Sequence, residues 1–174
     1  MCKRKIDRLL CKVLVLCCVL VSTGCSIRYS FTGASIPPSA KSVSVAPFPN
    51  VAPLVNATFA SAFVEALKDR FTSQTRLSIQ DYGGDFDFEG EITGYSVAPT
   101  AIQGNETAAM NRLTVTVHVK FTNNLDEKAS YDKSFSAYED FSSAQQLTQV
   151  EGELAPRLIE KLVDDIFNAA VANW

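Results

Sequence analysis

Four carboxylates alternate along one short stretch of the sequence, DFDFEGE, and this spacing could support acid–base chemistry. Asp85, Asp87, Glu89 and Glu91 occupy every second position, so on a strand they share one face, with neighbours about 6.5–7 Å apart. Glycoside hydrolases use a pair of carboxylates at comparable separations. A solvated strand face gives the same alternation, and the sequence shows no apolar pocket that would raise the pKa of one member. An envelope glycan hydrolase is therefore a hypothesis to be tested at Asp87 and Glu89.

Other residues that could carry chemistry are sparse. His118 is the only histidine, and it lies on the polar side of an alternating segment. All five cysteines lie at or before Cys25, without Cys-x-x-Cys spacing. These residues cannot assemble a nucleophile triad or a zinc site, and the glycine patterns that bind nucleotides do not occur. The sequence predicts a binding or structural protein with no catalytic residue, no metal site and no cofactor.

The N-terminal segment has the parts of a secretory signal. Five basic residues precede the apolar run Val13–Val21, which is too short to cross a bilayer at 1.5 Å per residue, and the small residues 22–24 follow it. Small residues directly before Cys25 resemble the lipobox of bacterial lipoproteins, although Ser22 stands where that motif usually has Leu or Val. We predict a cleaved signal peptide at 1–24 and a diacylated Cys25 that anchors the protein to a membrane without spanning it. A plain secretory signal is the alternative.

Charge restricts the partners of the mature chain. Removing residues 1–24 takes away five of the 16 basic and one of the 19 acidic residues, which leaves 11 basic against 18 acidic residues, a formal charge of −7. Nucleic-acid binding needs a positive field, so it is not expected. The 150 residues that remain suffice for one domain. We predict a lipidated N-terminus and tether at 25–40, rich in small residues and proline, and a single domain at 41–174.

Hydrophobic periodicity divides this domain into strands and helices. Strands are predicted in KSVSV, at 76–81, at 85–97, in RLTVTVHVKFTNN and in ASYDKSFSAYEDF. Gly90 and Gly94 indicate a bulge or bend in the third of these. In the fourth, five alternating apolar residues are expected to face inward: Leu113, Val115, Val117, Val119 and Phe121.

Two amphipathic helices are predicted, at 55–72 and 144–171. The first has an apolar stripe formed by Phe59, Phe63, Leu67 and Phe71, and Asn56 or Thr58 is the expected N-cap. In the second, either the long helix begins near Leu154 with Pro156 in its first turn, or it is kinked there. The order of elements predicts an α+β fold in which two helices pack on one face of a mostly antiparallel or mixed sheet of about four to five strands.

The loop between the third and fourth strands is long for a strand connection. It runs from Ala98 to Ala109, and long loops on a rigid scaffold often carry recognition. Its centre, Gln103, Gly104, Asn105 and Glu106, is a possible partner-contact segment, although an ordinary connector would look the same.

Three longer stretches show a resemblance to a known family. YSFTGASIPPSAKSVSVAPFPN, FEGEITGYSVAPTAIQGNETAAMNRLTVTVHVKFTN and DDIFNAAVANW resemble the LptE-type lipopolysaccharide-assembly lipoproteins of Gram-negative lineages outside the enteric bacteria. The likeness extends from Tyr29 to Trp174.

This resemblance implies a lipid-anchored, non-catalytic protein of the outer membrane that faces the periplasm. Proteins of this family plug an LptD-type β-barrel and help to pass lipopolysaccharide to the outer leaflet. The resemblance does not place the basic residues that contact lipopolysaccharide, and the strand pattern suggests Arg112 and Lys120. A general adaptor lipoprotein of another envelope complex shares all of these sequence features and remains the alternative.

Overall fold

The computed structural model describes residues 36–54, 56–100 and 109–171. All of these belong to one unit of the chain. In chain order the elements are β1 (Ser42–Val45), α1 (Phe59–Gln74), β2 (Ser78–Gln80), β3 (Phe86–Pro99), β4 (Met110–Asn123), a 3-10 turn (Glu127–Ala129), β5 (Tyr131–Ser142) and α2 (Leu147–Val171). Every predicted strand and helix is present, with boundaries that shift by a few residues.

The strands form one mixed sheet in the order β2-β1-β3-β4-β5. The last three form an antiparallel meander, whereas β1 runs parallel to both β2 and β3. A parallel pair needs a crossover, and α1 provides it between β1 and β2. This confirms the predicted α+β class and the mixed five-stranded sheet, which is open and not closed into a barrel.

The core lies between the helices and one face of the sheet. All five predicted inward residues of β4 are at most 1% exposed, and the predicted stripe of α1 is equally buried. Aromatic rings connect the two layers, because Phe71 of α1 packs on Phe88 of β3 at a centroid distance of 5.0 Å and on Phe167 of α2 at 5.1 Å. The opposite face of the sheet carries the polar residues of the alternation.

A β-bulge in β3 changes which residues face the core. The pairing register between β3 and β4 shifts between Ile92 and Gly94, as the glycines predicted. Before the bulge the core-facing residues are Phe86, Phe88 and Ile92; after it Tyr95, with 2% exposure, takes the next core position. An extra residue in a period-two pattern moves every later side chain to the other face. The bulge therefore turns Tyr95 and Val97 towards the helices.

The first helix begins four residues later than predicted, at Phe59. The side-chain oxygen of Asn56 accepts hydrogen bonds from the backbone N–H groups of Thr58 and Phe59, each 3.0 Å long. Thr58 occupies the N-cap position without a side-chain cap of its own. Asn56, which lies outside the helix, therefore accepts from backbone N–H groups that have no partner within the helix. This explains why the helix starts at Phe59.

The second helix starts well before its proline. It begins at Leu147 and continues through Pro156 to Val171, so the predicted start near Leu154 is wrong. Proline inside a helix costs about 3 kcal/mol through a lost hydrogen bond and a clash. Buried side chains on both sides of it, including Val150 and Leu158, offset that cost by packing on the core. Neither long helix of the described chain has the length and apolarity that a membrane span requires.

Candidate functional site

The alternating carboxylates bond neighbouring strands instead of converging on a substrate. One carboxylate oxygen of Asp85 accepts hydrogen bonds from the backbone N–H groups of Lys41 (2.8 Å) and Ser42 (3.0 Å) and from the Ser42 hydroxyl (3.0 Å). The bond from the Lys41 N–H and the bond from the Ser42 hydroxyl lower the pKa of Asp85 below its ordinary value. Asp85 is therefore held as an anion that fastens the start of β1 to β3.

The next two carboxylates have separate partners. Asp87 accepts a hydrogen bond from the Ser44 hydroxyl of β1 at 2.5 Å. Glu89 pairs with Lys120 of β4 at 3.3 Å. They reach towards opposite neighbouring strands, so they do not face one point between them. Within residues 36–54, 56–100 and 109–171, no group of acidic, histidine or cysteine side chains could hold a metal ion.

His118 lies on the open face of the sheet, as the alternation predicted. Its Nε2 atom lies 2.7 Å from a carboxylate oxygen of Asp132 on β5. Glu91 is its register partner on β3. The histidine therefore belongs to a row of polar pairs that cross the meander.

Arg112, one of the two predicted lipopolysaccharide contacts, is held by β5. Its Nε and one terminal nitrogen donate to the two oxygens of Asp140 at 2.7 and 2.8 Å, and the guanidinium carbon lies 3.8 Å from the centroid of the Tyr138 ring. This pair raises the pKa of Arg112 and lowers the pKa of Asp140. Two of the five guanidinium N–H donors are used, so others stay available to a ligand.

The structure places Arg112 and Lys120 far apart. They share one face of β4, but they lie eight positions apart in the sequence, which is about 26 Å along a strand. Thr114 and Thr116 lie between them on this face, and the Thr116 hydroxyl bonds that of Ser136 at 2.7 Å. The open face is therefore polar, with paired charges at its ends and hydroxyl groups in the middle.

An apolar cleft of about 720 Å³ lies on the helix side, at the end of the sheet where β3 and β4 approach their connection. It is lined by Pro53, Leu54, Gly94, Tyr95, Ser96, Val97, Asn111, Phe141, Gln145, Gln146 and Leu147. Leu54 is 45% exposed and Val97 40% exposed. The sequence analysis missed this cleft, because simple alternation through the glycines does not bring Tyr95 and Val97 to this side; only the bulge does.

Tyr95 connects the cleft to the second helix. Its hydroxyl donates a 2.5 Å hydrogen bond to Glu151, and its ring packs edge-to-face on Phe59 at 5.7 Å. Burial, and then the hydrogen bond to Glu151, raise the pKa of Tyr95 above its ordinary value. The phenol is therefore neutral, and this side of the cleft is fixed by both helices.

Two sets of predicted site residues lie outside the described chain. These are the lipid-attachment residue Cys25 and the partner-contact segment Gln103, Gly104, Asn105 and Glu106. The described residues on either side of that segment are hydrogen-bonded to each other: the backbone N–H of Thr100 donates to the carbonyl oxygen of Met110 at 2.9 Å.

Comparison with solved structures finds the same fold in two bacterial proteins. A minor lipoprotein from Acinetobacter baumannii has a TM-score of 0.51 at 16% identity, over 77% of this chain and 94% of that one. The hypothetical protein CT253 from Chlamydia trachomatis has a TM-score of 0.51 at 15% identity, over 77% of this chain and all of that one. At these identities the likeness shows the fold alone. No curated protein matches the sequence.

Comparison with protein-family models identifies the family. The model described as LptE, lipopolysaccharide-assembly, matches residues 40–170. This range contains all five strands, α1 and nearly all of α2, so the match covers nearly all of the described fold and most of the chain. The chain belongs to the LptE family of lipopolysaccharide-assembly proteins.

Proposed function

We propose that this protein is a non-catalytic outer-membrane lipoprotein that partners and plugs an LptD-type β-barrel and assists the transport of lipopolysaccharide into the outer leaflet. It is lipidated at Cys25 after removal of residues 1–24, and the domain that follows the tether at 25–40 faces the periplasm. The observation that carries the proposal is the family match over residues 40–170.

The open face of the sheet suits contact with the wall of a barrel. The lumen of a transmembrane β-barrel is polar, and this face offers hydroxyl groups together with charges that are already paired, such as Arg112 with Asp140 and Lys120 with Glu89. Paired charges need less compensation from a partner when they lose water. A surface of this kind can meet a polar wall without leaving an isolated charge buried.

Arg112 and Lys120 are the proposed contacts for the phosphate groups of lipopolysaccharide. Arginine presents a planar set of donors that fits phosphate, and lysine provides a point charge. Because about 26 Å of strand separates them, they would meet different parts of one large ligand or act singly. Residues Gln103, Gly104, Asn105 and Glu106, in the sequence between β3 and β4, are the proposed contact with the barrel.

Affinity purification from detergent-solubilised outer membranes tests the proposal. The full-length protein with a C-terminal tag is expected to co-purify a large β-barrel protein in stoichiometric amount. A Cys25→Ser variant of the same chain is the matched control for the membrane step, since it keeps the domain and loses the acyl chains. If the wild-type protein captures another envelope complex and no barrel, the adaptor hypothesis replaces this one.

A further inference from the structure

The apolar cleft beside Tyr95 is a feature of the described chain that the proposed function leaves unused. Its volume, about 720 Å³, lies within the range of small-molecule sites, roughly 300–1,000 Å³. Its lining comes from β3, β4 and β5, from the segment before α1 and from the start of α2, so several elements must hold their positions to form it. The hydrogen bond from Tyr95 to Glu151 fixes the sheet to the helix at this point.

The chemistry of the lining selects a neutral, apolar ligand. None of the eleven lining residues carries a formal charge, although the mature chain carries −7. The polar groups of the lining are amides and hydroxyls, among them Asn111, Gln145 and Gln146. A hydrocarbon chain can fill such a cleft, with polar atoms at the rim. A phosphate or sugar would find no charged partner there.

The exposed side chains at this cleft have no apolar cover in the described chain. Leu54 and Val97 are among the exposed large hydrophobic residues of the described chain, and both line the same cleft. Exposed apolar surface that is grouped in a concave site indicates a binding site. Covering it with hydrocarbon removes that surface from water, which favours binding.

We propose that this cleft binds one saturated acyl chain of lipopolysaccharide; the inference rests on the proposed function for the identity of the lipid. The protein's own anchor is the competing source, and its tether joins β1 at the other end of the sheet. Val43 of β1 pairs with Phe86 of β3, eleven residues before Val97, which is about 36 Å along the strand. Residues 25–40 span at most about 53–58 Å when extended, so the anchor reaches the cleft only if most of the tether runs back along the sheet; the titration below removes it with Cys25→Ser.

Binding of free fatty acids tests the cleft itself. The mature chain with Cys25→Ser is titrated with saturated fatty acids of 8 to 16 carbons, which compete with a fluorescent polyene fatty acid. Each added methylene should tighten binding about fourfold, until the chain outgrows the cleft and the affinity stops rising. Binding without saturation, or affinity that keeps rising to 16 carbons, would contradict a bounded site.

Two variants of equal exposure localise the binding. Leu54→Gln, at the cleft, should weaken binding about tenfold. Leu125→Gln is the matched control, because Leu125 is 44% exposed and Leu54 45%, while Leu125 lies in the turn between β4 and β5. Unchanged thermal melting of both variants shows that the fold is kept. Equal loss in both variants, or no loss at Leu54, would overturn the assignment.

Photo-crosslinking in cells identifies the lipid. With p-benzoylphenylalanine at position 97 of the full-length protein, an adduct that reacts with antibody to lipopolysaccharide is expected, and none with the same amino acid at position 125. An adduct with phospholipid, or a protein adduct only, refutes the proposal. The fatty-acid titration uses the isolated protein and the barrel is sought by co-purification, so failure of the cleft and failure of the proposed function are separate results.

Discussion

Gly90 lies where the sheet leaves no room for a side chain, so replacing it tests the packing of the whole fold. It pairs with Val119 in the ladder between β3 and β4. A Cβ atom added at this position would lie well inside contact distance of the His118 carbonyl oxygen and 2.6 Å from Cε1 of Phe48. Phe48 is itself buried and packs edge-to-face on Phe63 of α1 at 5.2 Å.

The expected cost of Gly90→Ala follows from these neighbours. Overpacking a core by one carbon typically costs 1–3 kcal/mol, and this site belongs at the upper end because one obstacle is backbone. Alanine lowers the conformational entropy of the unfolded chain, which stabilises the folded state by about 0.4–1 kcal/mol. The net loss is therefore about 2–2.6 kcal/mol in the free energy of unfolding, or roughly 5–10 °C in Tm for a domain of this size.

Gly152→Ala is the matched control for the same chemical change. A Cβ atom at Gly152 meets nothing within 4 Å, and the position lies inside α2, where alanine is favoured over glycine by about 1 kcal/mol. The control should therefore raise Tm by a few degrees. Thermal and urea unfolding of the mature chain with Cys25→Ser measure both variants. A Gly90→Ala variant as stable as its parent would refute the argument that Phe48 and the strand β4 fix this position.

Three further predictions concern the carboxylates and the anchor. Asp85→Asn should lower the urea midpoint at pH 7, and the difference from wild type should shrink below about pH 4. The reason is that the pKa of Asp85 lies under the ordinary 3.8, so its carboxylate stabilises the fold only while it is ionised. An equal difference at pH 3 and pH 7 would argue against this. Glu89→Gln should cost under about 1 kcal/mol, because Glu89 and Lys120 form an exposed pair. Asp87→Asn should cost about 1 kcal/mol, because the new amide oxygen can still accept the hydrogen bond from the Ser44 hydroxyl. Both changes together should leave barrel co-purification intact; abolition of a glycan-hydrolysing activity would support the hydrolase instead. Cys25→Ser should move the protein from the membrane fraction to the soluble fraction, and its persistence in membranes would contradict lipidation at this residue.

Some of the fold could be predicted from sequence because short-range patterns decide it. The alternation of Leu113 with its neighbours fixes which side of β4 meets the core, since a strand that slips by one residue would expose all of its apolar side chains. The four-residue spacing of the apolar stripe in α1 acts in the same way. The helix through Pro156 shows the limit, because tertiary packing on both sides of a proline does not appear in a local pattern.

The candidate site depended more on the tertiary structure. The sequence by itself determined the fold class, the polar character of the open face and the family resemblance, because these depend on periodicity, composition and motifs along the chain. Only the folded structure decided that Asp140 holds Arg112 and that the carboxylates of β3 bond to β1 and β4. It also decided that a bulge directs the Val97 side chain towards the apolar cleft. Each of these depends on the register between strands that are distant in sequence, and register is set by the packing of the whole sheet.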